Sequence, residues 1–164
     1  MKLNKSELTQ AKKEYKDEVR RMLRSYKDLS ARCESYKEEL SELRDEVTVA
    51  GLKFGRTKVQ TSGINKSTEF DVMRKMTAEL ELLKNIFELE QKMKIISDAV
   101  NHLDHDKASV VRMRYIERRS WANIEYKLFI CEKQGNNRVR DSITPLAYML
   151  FGDEALEESI VKIS

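Results

Sequence analysis

Proline occurs once in this chain of 164 residues, glycine five times and cysteine twice. With so few helix breakers, and with 36% charged and 40% hydrophobic residues, the composition favours long helices over sheet or disorder. The fold class that follows is all-α. The length allows one domain or two small ones. No apolar run approaches the roughly 18 residues of a membrane span. The N-terminal MKLNKSELTQAKKEYKDEVRR lacks the apolar core of a secretory signal, so the expectation is a soluble protein of the cytoplasm with no membrane partner. Cys33 and Cys131 stand far apart with no CxxC pairing, which points to reduced thiols. A glycine-rich phosphate loop, a nucleophile elbow and a spaced set of catalytic carboxylates are all missing. These absences argue against an enzyme and against a bound cofactor. "HLDHD" does bring His102, Asp104, His105 and Asp106 close together, but no third strong donor accompanies the two histidines. A polar helix terminus is the expectation there, with no metal.

What the chain has in quantity is charge, and the charge is segregated. Residues 49–66 carry Lys53, Arg56, Lys58 and Lys66 with no acid, a net +4. Residues 107–150 carry nine Lys/Arg against Glu117, Glu125, Glu132 and Asp141, a net +5. Residues 67–106 come to −4 and residues 151–164 to −3. Positive charge gathered in two places suits a single anionic partner better than a uniformly basic coat would.

Hydrophobic spacing supplies the organisation. Tyr15, Val19, Met22, Tyr26, Leu29, Cys33, Tyr36, Leu40, Leu43 and Val47 step alternately by four and three, a heptad seam over more than four heptads. Ser6 is a candidate N-cap, and the helix is expected to reach about Thr48. Residues 49–67 contain three glycines and no helical period, which predicts a basic linking loop. A second long helix is expected from about Thr68 to His102. Its apolar positions are Met73, Met76, Leu80, Leu83 and Phe87, then Leu89, Met93, Ile96, Val100 and Leu103. Because one amphipathic rod needs another to cover it, residues 1–103 are expected to form a long helical hairpin or coiled coil. Residues 104–152 then read as a helix-turn-helix domain, and 153–164 as a short acidic helix or tail.

The helix-turn-helix reading rests on a helix over 107–118, a second one capped by Ser120 and ending at Leu128, and a turn at FICEK before a third. Trp121, Ile124 and Leu128 share one face of the second helix, with Tyr115 and Ile116 closing the same small core. Arg118, Arg119 and the amides after Ser120 suit phosphate, since a helix N-terminus offers donors and partial positive charge. In such a module the third helix enters the major groove. Gln134, Asn136 and Asn137 there suit adenine, while Lys133, Arg138 and Arg140 suit guanine or phosphate.

The stretch VVRMRYIERRSWANIEYKL, residues 110–128, resembles the ArpU-type phage transcriptional regulators of Gram-positive bacteria. The C-terminal module of that family is similar to the promoter-reading region of bacterial sigma factors. Two upstream helices separated by a glycine- and serine-rich loop match its order over residues 26–103, and the rod before Tyr26 looks like an extension. The resemblance implies sequence-specific binding to duplex DNA and control of late phage genes in a bacterial host cell. The chain departs from the pattern in CEKQGNNRVRDSITPL, where Gly135 stands in place of valine and Arg138 in place of an apolar residue. Gly135 costs about 1 kcal/mol relative to alanine inside a helix, and Pro145 reads as the first position of a new helix. A short, kinked or weakly formed third helix is therefore expected. A homodimer is expected too, because a symmetric pair doubles the contact made by one small module. Two other functions fit the same pattern: a small-terminase-like subunit that recognises DNA for phage packaging, or a coiled-coil adaptor that binds a protein such as RNA polymerase.

Overall fold

The computed structural model describes residues 11–54 and 66–156, with side chains from 11 to 47 and from 70 to 156. Ser6, the centre of the basic segment at 55–65 and the tail at 157–164 lie outside the described residues. All regular structure among the described residues is helical, apart from one isolated antiparallel bridge between Ala11 and Leu156. Helix α1 spans Lys13–Phe54 and α2 spans Lys66–Asn101. Helix α3, His105–Val111, continues into a π-helical turn at Arg112–Ile116. Helix α4 is Trp121–Leu128, α5 is Glu132–Phe151, and a 3₁₀ turn at Gly152–Ala155 follows. No described helix is long and apolar enough to cross a membrane.

Helix α1 passes the expected end at Thr48, because a lone glycine, Gly51, opposes helix by only about 1 kcal/mol. The larger departure is α5, which is one continuous helix of 20 residues and not a short one followed by a restart at Pro145. Proline inside a helix removes one backbone hydrogen bond and costs about 3 kcal/mol. Here the buried face runs unbroken past it through Ser142, Ile143, Leu146 and Ala147. Burial of large aliphatic side chains at roughly 1.5–3 kcal/mol each outweighs that local break.

The chain divides into two compact units, one of residues 29–91 and one of residues up to Asp28 with those from Lys92 onward. In the first, Cys33 and Leu40 of α1 are buried, as are Leu82, Ile86 and Leu89 of α2. Three ion pairs join the helices: Lys37 with Glu90 at 3.0 Å, Arg44 with Glu79 at 2.8 Å, and Glu46 with Lys75 at 3.3 Å. As the α1 number rises the α2 number falls, so the two helices run antiparallel. The hydrogen bond from Lys37 to Glu90 holds its ammonium pKa above the ordinary lysine value. Each exposed pair contributes little alone, but together they fix which face of α2 meets α1. That face is the expected one only from Leu89 onward. Met73, Met76, Leu80, Leu83 and Phe87 are all exposed, because α2 carries two apolar stripes. The stripe of Leu82, Ile86 and Leu89 is bordered by Lys75, Glu79 and Glu90, whose charges pair with those of α1.

In the second unit, Val19 and Leu23 of α1 are buried, together with Ile96, Val100 and Leu103 of α2 and Val110, Val111, Ile143 and Leu146 further on. The rod before Tyr26 is therefore part of the C-terminal core and not an appendage to it. Tyr15 packs against Phe151 with ring centroids 5.1 Å apart, and the Lys12 amide donates to the Ala155 carbonyl at 2.8 Å.

Burial of Leu40 makes a direct test of the first unit possible. Leu40→Asp is expected to lower the thermal midpoint and helical content sharply. It should cost at least the roughly 2–5 kcal/mol of truncating a buried leucine to alanine, since an unpaired charge is buried as well. Circular dichroism melts would check this, and an unchanged midpoint would rule out packing at this position.

Candidate nucleic-acid interface

The site is assembled on α4 and α5 by a contact the sequence conceals. Trp121, the first residue of α4, lies half-buried against Gly135 in the first turns of α5. A β-carbon added at Gly135 would stand 2.4 Å from Cζ3 of the indole, closer than non-bonded carbons come. Glycine at 135 is thus not a hole in the core but the space the tryptophan ring occupies. The Arg114 guanidinium lies 5.0 Å from the centre of the same ring, a cation–π contact worth about 0.5–1 kcal/mol at a partly exposed site. Around it Val110, Met113, Ile124 and Ile130 form a buried cluster, with Leu128 and Val139 packed at its edge.

Backbone geometry between the helices is fixed by side chains. Ser120 is the N-cap of α4, its Oγ accepting from the Asn123 amide at 3.3 Å. At the start of α5, Gln134 Oε1 accepts from the Cys131 amide at 3.1 Å, and Glu125 Oε1 from the Glu132 amide at 2.5 Å. These bonds occupy donors that a helix start otherwise leaves unsatisfied. The turn joining α4 to α5 places Phe129 in the left-handed region, φ 53° and ψ 42°, with its ring exposed. A side chain there costs roughly 1–2 kcal/mol relative to glycine. Arg118 also has a positive φ, 50°. It is held there from outside: its guanidinium donates to the Arg24 carbonyl at 3.0 Å and meets Asp28 at 3.3 Å.

The expected DNA-contacting residues separate into two groups. Lys133, Asn136, Asn137 and Arg140 are exposed, and their steps of four and three set Lys133, Asn137 and Arg140 along one line on α5. That line faces away from Gly135, Val139 and Ser142, which pack inward. Among the described residues Arg140 pairs with its neighbour Asp141, at 3.4 Å. The others carry structural duties as well. Ser120 and the oxygen of Gln134 cap helices, and Arg119 pairs with Glu117 at 3.0 Å. Arg138 is half-buried and turned toward Asp106 at 3.9 Å. Arg118 has donors committed to α1, so the pair Arg118 and Arg119 is not a detached basic loop.

Sequence reasoning missed a groove lined by Arg24, Arg114, Tyr115 and Arg118. Arg24 lies some ninety positions earlier than the others, and nothing in its spacing marks it. Three arginines line this groove, with Arg118 also paired to Asp28, and arginine suits an anion such as phosphate, which it binds in bidentate fashion. The π-helical turn at Arg112–Ile116 carries Arg114 and Tyr115 into this groove, and such turns often accompany functional sites. The histidine pair is engaged locally: His102 Nδ1 is 2.6 Å from the Asp98 carbonyl, and His105 lies 3.8 Å from Asp106. No three potential metal ligands gather among the described residues. No protein-family model matches the chain, and neither does any curated protein or solved structure.

The tryptophan–glycine contact predicts an inverted mutational effect. Gly135→Ala adds about 1 kcal/mol of helix propensity, yet it is expected to destabilise the unit by roughly 1–3 kcal/mol through overpacking. Trp121→Leu in the same chain should recover part of that stability. Urea denaturation followed by circular dichroism would measure both, and stabilisation by the alanine alone would exclude the contact.

Proposed function

We propose that this chain binds duplex DNA and regulates transcription, with α4 and α5 acting as the two core helices of a helix-turn-helix module carried by a helical hairpin. The observation that carries this reading is the exposed row of Lys133, Asn137 and Arg140 with Asn136, on the outer face of a helix whose other face is buried. A helix of that kind can enter the major groove without surrendering its packing. Asparagine offers the paired donor and acceptor that adenine requires, while arginine and lysine suit guanine or phosphate. The groove lined by Arg24, Arg114 and Arg118, with Arg119 close in sequence, adds cations that suit the DNA backbone. The resemblance of residues 110–128 to ArpU-type phage regulators points the same way and adds control of late phage genes. In this reading the chain acts by binding, not by catalysis, and two copies act together.

A second reading, an adaptor that docks a protein such as RNA polymerase, draws on a different observation. Tyr126 and Phe129 are both strongly exposed at the α4–α5 turn, and Phe129 holds a strained backbone position that glycine would fill more cheaply. Phe129→Gly is expected to leave the fold and DNA affinity intact, so loss of DNA binding in that variant would count against placing the turn outside the DNA contact.

A salt titration of affinity for random and selected duplexes tests the main reading. Lys133→Gln and Arg140→Gln are each expected to weaken binding to all sequences. Each should also flatten the slope of log affinity against log salt by about 0.9 for every phosphate that is no longer neutralised. Asn137→Ala should change which sequence is preferred, by roughly 1–3 kcal/mol for a bidentate base contact. Unchanged affinity and slope in both charge variants would overturn the assignment of α5.

A further inference from the structure

The outer face of α2 is a second apolar seam that no described part of the chain covers. Phe70, Met73, Met76, Leu80 and Phe87 are 60–66% exposed, and Leu83 is 38% exposed. Scattered apolar residues on a surface need no explanation, but these repeat by three and four in register from Met73 to Phe87. Met73, Leu80 and Phe87 take one core position of a heptad, and Met76 and Leu83 take the other. Continuous apolar surface of this kind marks an interaction site.

We propose that this face pairs with the same face of a second copy, the two α2 helices lying parallel and in register. The inference gives a surface and an orientation to the paired copies of the reading above, and it does not depend on DNA being the ligand. Three features select this occupant. The first is area: taking the roughly 150–250 Å² of a large aromatic side chain as an upper limit for each, six side chains at these exposures offer at most on the order of 700 Å² per copy. That approaches the roughly 800 Å² per partner of a stable interface. The second is register. A parallel alignment sets each of the five seam residues against its own counterpart, whereas an antiparallel alignment that keeps the heptad layers leaves Met73 or Phe87 uncovered.

The third feature is charge. The positions flanking such a seam are Val72 and Glu79 on one side, where the next such position, Ile86, is buried against α1, and Thr77 and Lys84 on the other. In the parallel register Glu79 of one copy lies opposite Lys84 of the other, and symmetry makes the pair twice. In the antiparallel register that pairs Met73 with Leu83, Glu79 meets Glu79. Within one chain Glu79 already meets Arg44, and Lys84 reaches Glu88 only at 3.9 Å, so the lysine gives up little by crossing.

Sedimentation equilibrium of the full chain over a wide concentration range tests the pairing. The expected result is a species of twice the chain mass. Leu80→Glu combined with Phe87→Glu is expected to reduce it to one chain mass with helical content retained, because both side chains are exposed within a single copy. The register is tested by Leu83→Cys in a Cys131→Ser background, where mild oxidation should yield a disulfide-linked dimer through position 83. A wild type at single-chain mass overturns the proposal, as does a double variant that keeps the doubled mass. A doubled mass without the position-83 cross-link overturns the parallel register. Affinity of the double variant for random duplex DNA keeps the two ideas apart: weakened but persistent binding is expected, and complete loss with helical content intact would place this face in the DNA contact and overturn its assignment to a second copy.

Discussion

The indole of Trp121 resting on the bare backbone of Gly135 is the constraint on which the C-terminal structure depends. At this separation a β-carbon at position 135 would stand 2.4 Å from the ring, so the glycine sets how closely α4 approaches α5. With the approach fixed, Val139, Ser142 and Leu146 turn inward, and Lys133, Asn137 and Arg140 are left on the outside. Arg114 above the ring adds a cation that is both structural and part of the basic groove. The residues that set the helix angle and those that present charge are therefore adjacent or shared, and neither property can vary freely.

The start of α1 has a comparable double role. Tyr15 against Phe151, the Lys12 to Ala155 hydrogen bond and the Arg118 guanidinium on the Arg24 carbonyl join chain segments separated by well over eighty residues. Two of these contacts involve the end of α5 and the turn after it, which gives a long helix containing Pro145 an anchor beyond the proline. The third holds Arg118 in a left-handed backbone conformation that an arginine does not favour on its own. The cost of that conformation is offset by one hydrogen bond and one ion pair to α1, and the groove of three arginines exists because of it.

Helix α2 combines two apolar stripes with one set of complementary charges. Hydrophobic burial alone would accept either stripe against α1, since both offer large aliphatic side chains at helical spacing. The pairs Lys37 with Glu90, Arg44 with Glu79 and Glu46 with Lys75 settle the choice. Exposed ion pairs add little stability, yet they suffice to discriminate between two arrangements of nearly equal burial, as charges beside a coiled-coil seam do. The stripe not chosen remains a surface with the pattern of an interface.

Helical regular structure was legible in the composition, because one proline and five glycines leave intact a heptad pattern sustained over more than four heptads. The cap at Ser120 and the break near residue 130 were legible too, since these follow from neighbours a few positions apart. Which stripe of α2 is buried was not legible, because periodicity reports that a face is apolar and not what it meets. Nor was the role of Gly135: propensity marks it as a weakness, and only the position of a tryptophan fourteen residues earlier turns it into a requirement. Arg24 in the basic groove and the persistence of α5 through Pro145 belong to the same class. Each depends on a partner brought from a distant part of the chain, and local spacing holds no record of such a partner until packing has placed it.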